Sequence, residues 1–163
     1  MKKRKYISPK TAPSAVFASM EDFMPIIEER LAAGHSVELS PRGVSMLPLI
    51  REGKDSVILS PTSGKLKKYD LPLYLRRDGK YVLHRVVAIK DDGYTMAGDN
   101  QYVYEKGISH DQIIAVVSAI RRGGRLFFAA NPLYRLYVVF WHHTRSLRHF
   151  AVRVVRRIKK LFI

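Results

Sequence analysis

Two residues of this chain have the types that acyl-transfer chemistry requires. Ser45 lies in the stretch Pro41-Arg42-Gly43-Val44-Ser45-Met46-Leu47-Pro48-Leu49-Ile50. Gly43 admits backbone angles that other residues avoid. Pro48 fixes its own φ and drives Leu47 towards extended geometry. Met46, Leu49 and Ile50 are apolar and can anchor the stretch on a core. The pattern predicts a stiff turn presenting one small hydroxyl, although the same residue types also build ordinary turns. A serine hydroxyl is a weak nucleophile near neutral pH and needs a base within reach. His84 is the candidate base, placed beside Arg85 in the apolar run Tyr81-Val82-Leu83-His84-Arg85-Val86-Val87-Ala88-Ile89. A neutral imidazole can take the hydroxyl proton and return it to a leaving amine. A carboxylate on the other ring nitrogen would hold the tautomer and stabilise the imidazolium. Read alone, His84 is equally consistent with a satisfied, partly buried histidine, and Arg85 reads as a structural, salt-bridging arginine.

Four segments in order carry a resemblance. Gly43-x-Ser45-Met46-x-Pro48, a displaced Gly-Asp-x-Val signal at Gly53-Lys54-Asp55-Ser56-Val57, His84-Arg85-Val86-Val87 and Gly98-Asp99-Asn100 together resemble the signal peptidase I and LexA-type serine peptidases. The similarity spans about residues 37–120. Most bacterial signal peptidases place a lysine directly before the arginine. Histidine at that place is similar to the endoplasmic-reticulum and archaeal branch. The resemblance implies Ser45 as nucleophile, His84 as base, and an extended substrate chain with small side chains before the cut. It leaves two acids for the third role. Asp99 matches the acidic motif of the family, and Glu105 stands where the histidine branch carries an aspartate. Asp99 is slightly preferred, and a bare Ser-His dyad is the third possibility. Gly43 stands where some relatives carry a serine that helps bind the oxyanion, so the donors here would be backbone N–H groups, including that of Ser45. Asp55 and Asp70 read as turn or cap carboxylates.

The elements that must position these residues are mostly strands. Ser36–Ser40, Ser56–Ser60, Leu73–Arg76, Tyr81–Lys90, Tyr94–Ala97, Ile113–Ile120 and Leu126–Ala129 are apolar or alternating and separated by turn residues. Asp78-Gly79 is a hairpin signal. Short spacing argues for a mainly β fold, a barrel-like core of the LexA and signal-peptidase kind without βαβ units. Residues 19–33 read as a short amphipathic helix, capped by Ser19 or Asp22 and ended by Gly34, with Phe23, Ile26, Ile27 and Leu31 on one face. The organisation expected is a flexible basic arm at 1–18, a peptidase-like domain at 19–130 and a basic amphipathic helical tail at 131–163.

Charge points to a partner for that tail. The net charge is +15, from 29 Lys and Arg against 14 Asp and Glu. Residues 131–163 hold eight of the basic residues and no acid, which leaves 21 minus 14, or +7, for residues 1–130. Leu147, Phe150, Ala151, Val154, Val155, Ile158, Leu161 and Phe162 recur at helical spacing, with arginines and lysines mostly on the other side. Such a helix suits an anionic membrane surface, although it could also pack on its own domain. The apolar run Leu136–Trp141 is far short of the roughly 20 residues a span needs. Nucleic acid is the weaker alternative, because the apolar face would need another burial site. His142, His143 and His149 have no cysteine or carboxylate beside them, so no metal is expected. No cofactor is implied. The absence of cysteine removes disulfides and fits a reducing compartment. The basic start is followed by no apolar stretch of signal-peptide length, and the expected location is the cytoplasmic side, peripheral to a membrane.

The leading expectation is therefore a serine endopeptidase with peptide or protein substrates. Its alternatives are a LexA-like regulator that cleaves itself, for which Ala32-Ala33-Gly34 offers a small-residue bond, and a non-catalytic relative that binds membrane or nucleic acid through its tail. Self-cleavage is disfavoured: no helix-turn-helix pattern precedes the core, and the bond lies 11 residues before Ser45 and leads straight into the first strand.

Overall fold

A computed structural model describes residues 20–62 and 64–161. The expected basic arm at 1–18 and the candidate cap Ser19 lie outside the described residues. Helix α1 (Met20–Ala32) is followed by nine strands: β1 (Val37–Leu39), β2 (Asp55–Ser60), β3 (Pro72–Leu75), β4 (Tyr81–Leu83), β5 (Arg85–Lys90), β6 (Gly93–Ala97), β7 (Glu105–Ile108), β8 (Ile113–Arg122) and β9 (Arg125–Phe128). Helices α2 (Pro132–His143) and α3 (Arg145–Leu161) complete the described chain.

The fold is mainly β, but the strands do not close into a barrel. One antiparallel sheet has the order β1-β2-β8-β3-β4, with β9 paired to β8, and a second has the order β5-β6-β7. The stretch expected as one long strand is divided at His84. Its first part, β4, pairs with β3, while β5 pairs with β6. A continuous apolar run gives no signal of a change of partner, because both halves carry the same apolar strand pattern. The unexpected strand is β7, whose sequence Glu105-Lys106-Gly107-Ile108 has little β propensity. It is held by pairing with β6, Met96 opposite Glu105.

Two apolar clusters support this frame. Met24, Ile27 and Leu31 of α1 meet Met46, Ile50, Val57, Leu59, Leu73, Val117 and Ile120. Leu66, Tyr74, Val86, Tyr94, Met96 and Ile108 fill the space by the second sheet. The inward face of α1 runs through Met24, at i, i+3, i+7 spacing, and leaves Phe23 and Ile26 exposed. The expected face, with Phe23 and Ile26, differs from this one by about one residue, because Met24 is the anchor in the first turns. The Ser45 turn is fastened by burial of Met46 and Ile50, each contributing about 1.5–3 kcal/mol relative to exposure. At its exit Asp55 accepts from the Arg51 N–H at 2.9 Å and from the Arg51 guanidinium at 2.8 Å through each carboxylate oxygen.

The segment expected as one helical tail is two helices. Asn131 caps α2 by accepting from Leu133 N–H at 2.9 Å, with Pro132 at the first helical position. At Thr144, which separates α2 from α3 with φ −80° and ψ 2°, the hydroxyl donates back to Phe140 O at 2.9 Å, a bond that competes with the helical ladder. Helix α2 belongs to the packed unit: Val138 is buried and Tyr134 lies against the main core cluster. Among the described residues no helix is long and apolar enough to cross a membrane.

Candidate active site

The Ser45 turn is held from the far side of the molecule. Gly43 adopts φ +92°, a conformation that L side chains rarely take. Ser45 O accepts from Asn100 N–H at 2.8 Å, and Asn100 Nδ2 donates to Val44 O at 3.2 Å. Gly98 is needed here for space: a Cβ at this residue would fall 2.7 Å from Ser45 O and 3.1 Å from His84 Nε2. Among the described residues the Ser45 N–H donates to no backbone carbonyl. The loop following β6 thus fits between the serine turn and the imidazole.

His84 stands where the chain passes from β4 to β5 and is 3% exposed. Its Nδ1 lies 2.9 Å from Glu105 Oε1. The same carboxylate accepts from the Tyr74 hydroxyl at 2.9 Å, from Arg76 Nε at 2.6 Å, and from Arg76 Nη2. Tyr74 and Arg76 are two residues apart along one extended stretch and so reach the same side. Burial would raise the Glu105 pKa, but the hydrogen bonds from Arg76 and Tyr74 outweigh it and hold it below its ordinary value. Burial and the neighbouring Glu105 both push the Tyr74 phenol up, so it stays a donor. Burial lowers the His84 pKa below 6.5, with Glu105 pulling the other way. An ionised carboxylate can only accept, so the neutral imidazole carries its proton on Nδ1 and leaves Nε2 as an acceptor on the Ser45 side.

Ser45 and His84 line one cleft of about 240 Å³, together with Pro41, Gly43, Gln101 and Tyr81 and Val82 of β4. The Ser45 hydroxyl makes no hydrogen bond among the described residues. Catalytic hydrogen bonds are commonly long without substrate and tighten in the complex.

Asp99 is not at the imidazole nitrogen. Its oxygens take Arg85 Nε at 2.8 Å and Arg85 Nη2 at 2.7 Å, and both side chains are buried. Arg85 also donates to Tyr69 O at 3.0 Å and to the Tyr134 hydroxyl at 3.3 Å. Of the two candidate acids, the structure thus brings Glu105 to His84 Nδ1 and pairs the slightly preferred Asp99 with Arg85. In the Gly-Asp-Asn segment the flanking residues touch the serine turn, while the aspartate faces away into an arginine clamp. Asp70 accepts from Lys67 N–H at 2.7 Å within its turn, and Asp55 grips Arg51, so both are scaffold carboxylates.

Further contributors carried no sequence signal of their own. Tyr74 and Arg76 fall within the expected strand Leu73–Arg76, and nothing in that pattern says what they bind. Trp141 Nε1 donates to Asp99 O at 3.1 Å, and Arg145 Nη2 donates to Gly98 O at 3.2 Å. The C-terminal helices therefore hold the loop that supports Ser45. Of the tail histidines, His142 meets the edges of Tyr69 and of His143, His143 also contacts Val139 O, and His149 stacks on Tyr102. Comparison of the chain with family models, curated proteins and solved structures gives no match.

Proposed function

We propose that this chain is a serine endopeptidase in which Ser45 is the nucleophile, His84 the general base and Glu105 the carboxylate that orients the base. The observation that carries this reading is the Glu105–His84 hydrogen bond at Nδ1, in a cleft that His84 and Ser45 both line. Ser45 Oγ attacks the scissile carbonyl carbon as its proton moves to His84 Nε2. The tetrahedral oxyanion is met by backbone N–H groups, including that of Ser45. Collapse breaks the C–N bond and the imidazolium gives its proton to the departing amine. Water, deprotonated by the same nitrogen, then hydrolyses the acyl-enzyme. Glu105 stays ionised throughout, because Arg76 and Tyr74 stabilise its charge.

The substrate class is an extended peptide. Strand β4 is the edge of its sheet and contributes Tyr81 and Val82 to the cleft, so its outer backbone groups can pair with an added strand. The resemblance to the Ser-His signal peptidases adds small side chains before the cut. Self-cleavage at residues 32–34 is less well supported. That bond lies in the closing turn of α1, where Gly34 N–H donates to Leu31 O at 2.9 Å and His35 N–H to Arg30 O at 3.0 Å. The test is covalent labelling by a fluorophosphonate, with the adduct located by peptide mass spectrometry. Modification of Ser45, lost in Ser45→Ala and strongly slowed in His84→Ala, is the expected result. An unlabelled Ser45 in folded protein refutes the reading and favours a non-catalytic relative.

A further inference from the structure

The first turns of helix α3 are packed inside out. In water an amphipathic helix turns its apolar stripe to the core and its charges to solvent. Here Arg145 is buried, and Arg148 and His149 are half-buried. Arg145 lies over the rings of Tyr104 and Tyr102, at 4.8 and 5.8 Å. Arg148 lies 3.5 Å over the ring of Trp141, and His149 stacks on Tyr102 at 4.1 Å. The basic side thus makes the contacts to the domain, and Leu147, Phe150 and Val154, at i, i+3 and i+7, are left exposed at 69%, 67% and 39%. Helix α2 turns an apolar face inward through Val138 and Tyr134, yet also leaves Leu133, Leu136 and Phe140 exposed at the same spacing. Phe127 of the exposed strand β9 lines a groove with Leu133, and the other wall includes Pro48 and Leu49 of the serine turn.

We infer that this face of β9, α2 and α3 docks on an anionic lipid surface. Burying exposed leucines and phenylalanines in the acyl boundary supplies the apolar contribution, roughly proportional to area. Arg153 and Arg157 are exposed beside the α3 stripe, and no Asp or Glu occurs after Asp111. That charge complements phosphate headgroups, each Lys or Arg near them adding on the order of 1 kcal/mol. It disfavours a second copy, because a symmetric pair through this stripe would set arginine against arginine. Pro48 and Leu49 in the groove join the docking face to the Ser45 turn. Membrane docking is independent of whether Ser45 is a nucleophile.

The test uses the full chain with vesicles of equal parts phosphatidylcholine and phosphatidylglycerol, and with pure phosphatidylcholine, at low and high salt. Co-sedimentation with the anionic vesicles is expected, weakened but not abolished by high salt, since screening removes only the charge contribution. The Leu147→Asp/Phe150→Asp variant, altered at exposed positions, should keep its circular dichroism and bind about tenfold or more weakly. Ser45→Ala should bind as the parent does, so loss of cleavage and loss of docking are read separately. Failure of the parent chain to bind anionic vesicles at low salt overturns the inference, as does unchanged binding by the double variant. It is equally overturned if the stripe holds a dimer that the double variant dissociates in analytical ultracentrifugation.

Discussion

Glu105 holds Nδ1 of His84 at 2.9 Å, while Asp99, six residues earlier, is bound through both oxygens to Arg85. The two acids are therefore not interchangeable. One is an ionised acceptor on the imidazole, held there by Tyr74 and Arg76. The other is half of a buried ion pair that joins β5 to the loop under Ser45.

Glu105→Gln should lower kcat by about 10³–10⁴-fold with the fold intact, because a neutral amide no longer enforces the productive tautomer. It should also move the acid limb of kcat/KM to lower pH. Burial already sets the His84 pKa below 6.5 and Glu105 opposes that shift, so removing the anion lowers it further. A pH–rate profile measures both effects. A limb that moves to higher pH, or an unchanged kcat, contradicts the assignment.

Acid should destabilise the protein from about pH 6.5 downwards. Both His84 and Glu105 have pKa values depressed in the folded state, so the unfolded chain binds more protons as pH falls. For His84 the loss starts near its ordinary value of 6.5 and continues to its lower folded value. For Glu105 it starts near 4.5. Urea midpoints across pH 4–8 test this, and His84→Gln should remove the upper part of the decline.

Asp99→Asn should act on stability. Leaving Arg85 buried without its partner costs about 3–5 kcal/mol, which corresponds to a fall in Tm of roughly 6–20 °C. The folded fraction should show an acid limb moved only slightly to lower pH, since Asp99 raises the His84 pKa less than Glu105 does and His84 Nδ1 still meets Glu105. A strongly displaced limb with unchanged Tm in the calorimeter contradicts this division of roles.

Truncation should separate α2 from the rest of the C-terminal segment. Ending the chain at Asn131 removes Val138 and Tyr134 from the packed surface, and it removes the hydrogen bonds from Trp141 to Asp99 O and from Arg145 to Gly98 O. Stability and Ser45 labelling should both fall. Ending it at His149 leaves those contacts and should leave labelling nearly unchanged. Equal labelling by both shortened chains contradicts an integral α2.

The sequence by itself determined the pieces. Glycine and proline around Ser45 specify a turn, because their φ preferences are local. Period-two patterning marks most strands, and the apolar spacing after Leu147 marks an amphipathic helix. Partner choice was not legible, because it depends on which strands pair. Tyr81–Lys90 reads as one strand, yet it changes sheets at His84. Glu105 reaches the imidazole only because the weakly β-prone strand β7 pairs with β6. The nearer match to a motif, Asp99, is claimed by Arg85, a residue directly adjacent to His84 in sequence. Sequence order could not say which of two neighbouring side chains would take which acid. Nor could the helical pattern of α3 say which face turns inward, since amphipathicity fixes that the faces differ and only the surface it meets, here Tyr102, Tyr104 and Trp141, decides which is covered.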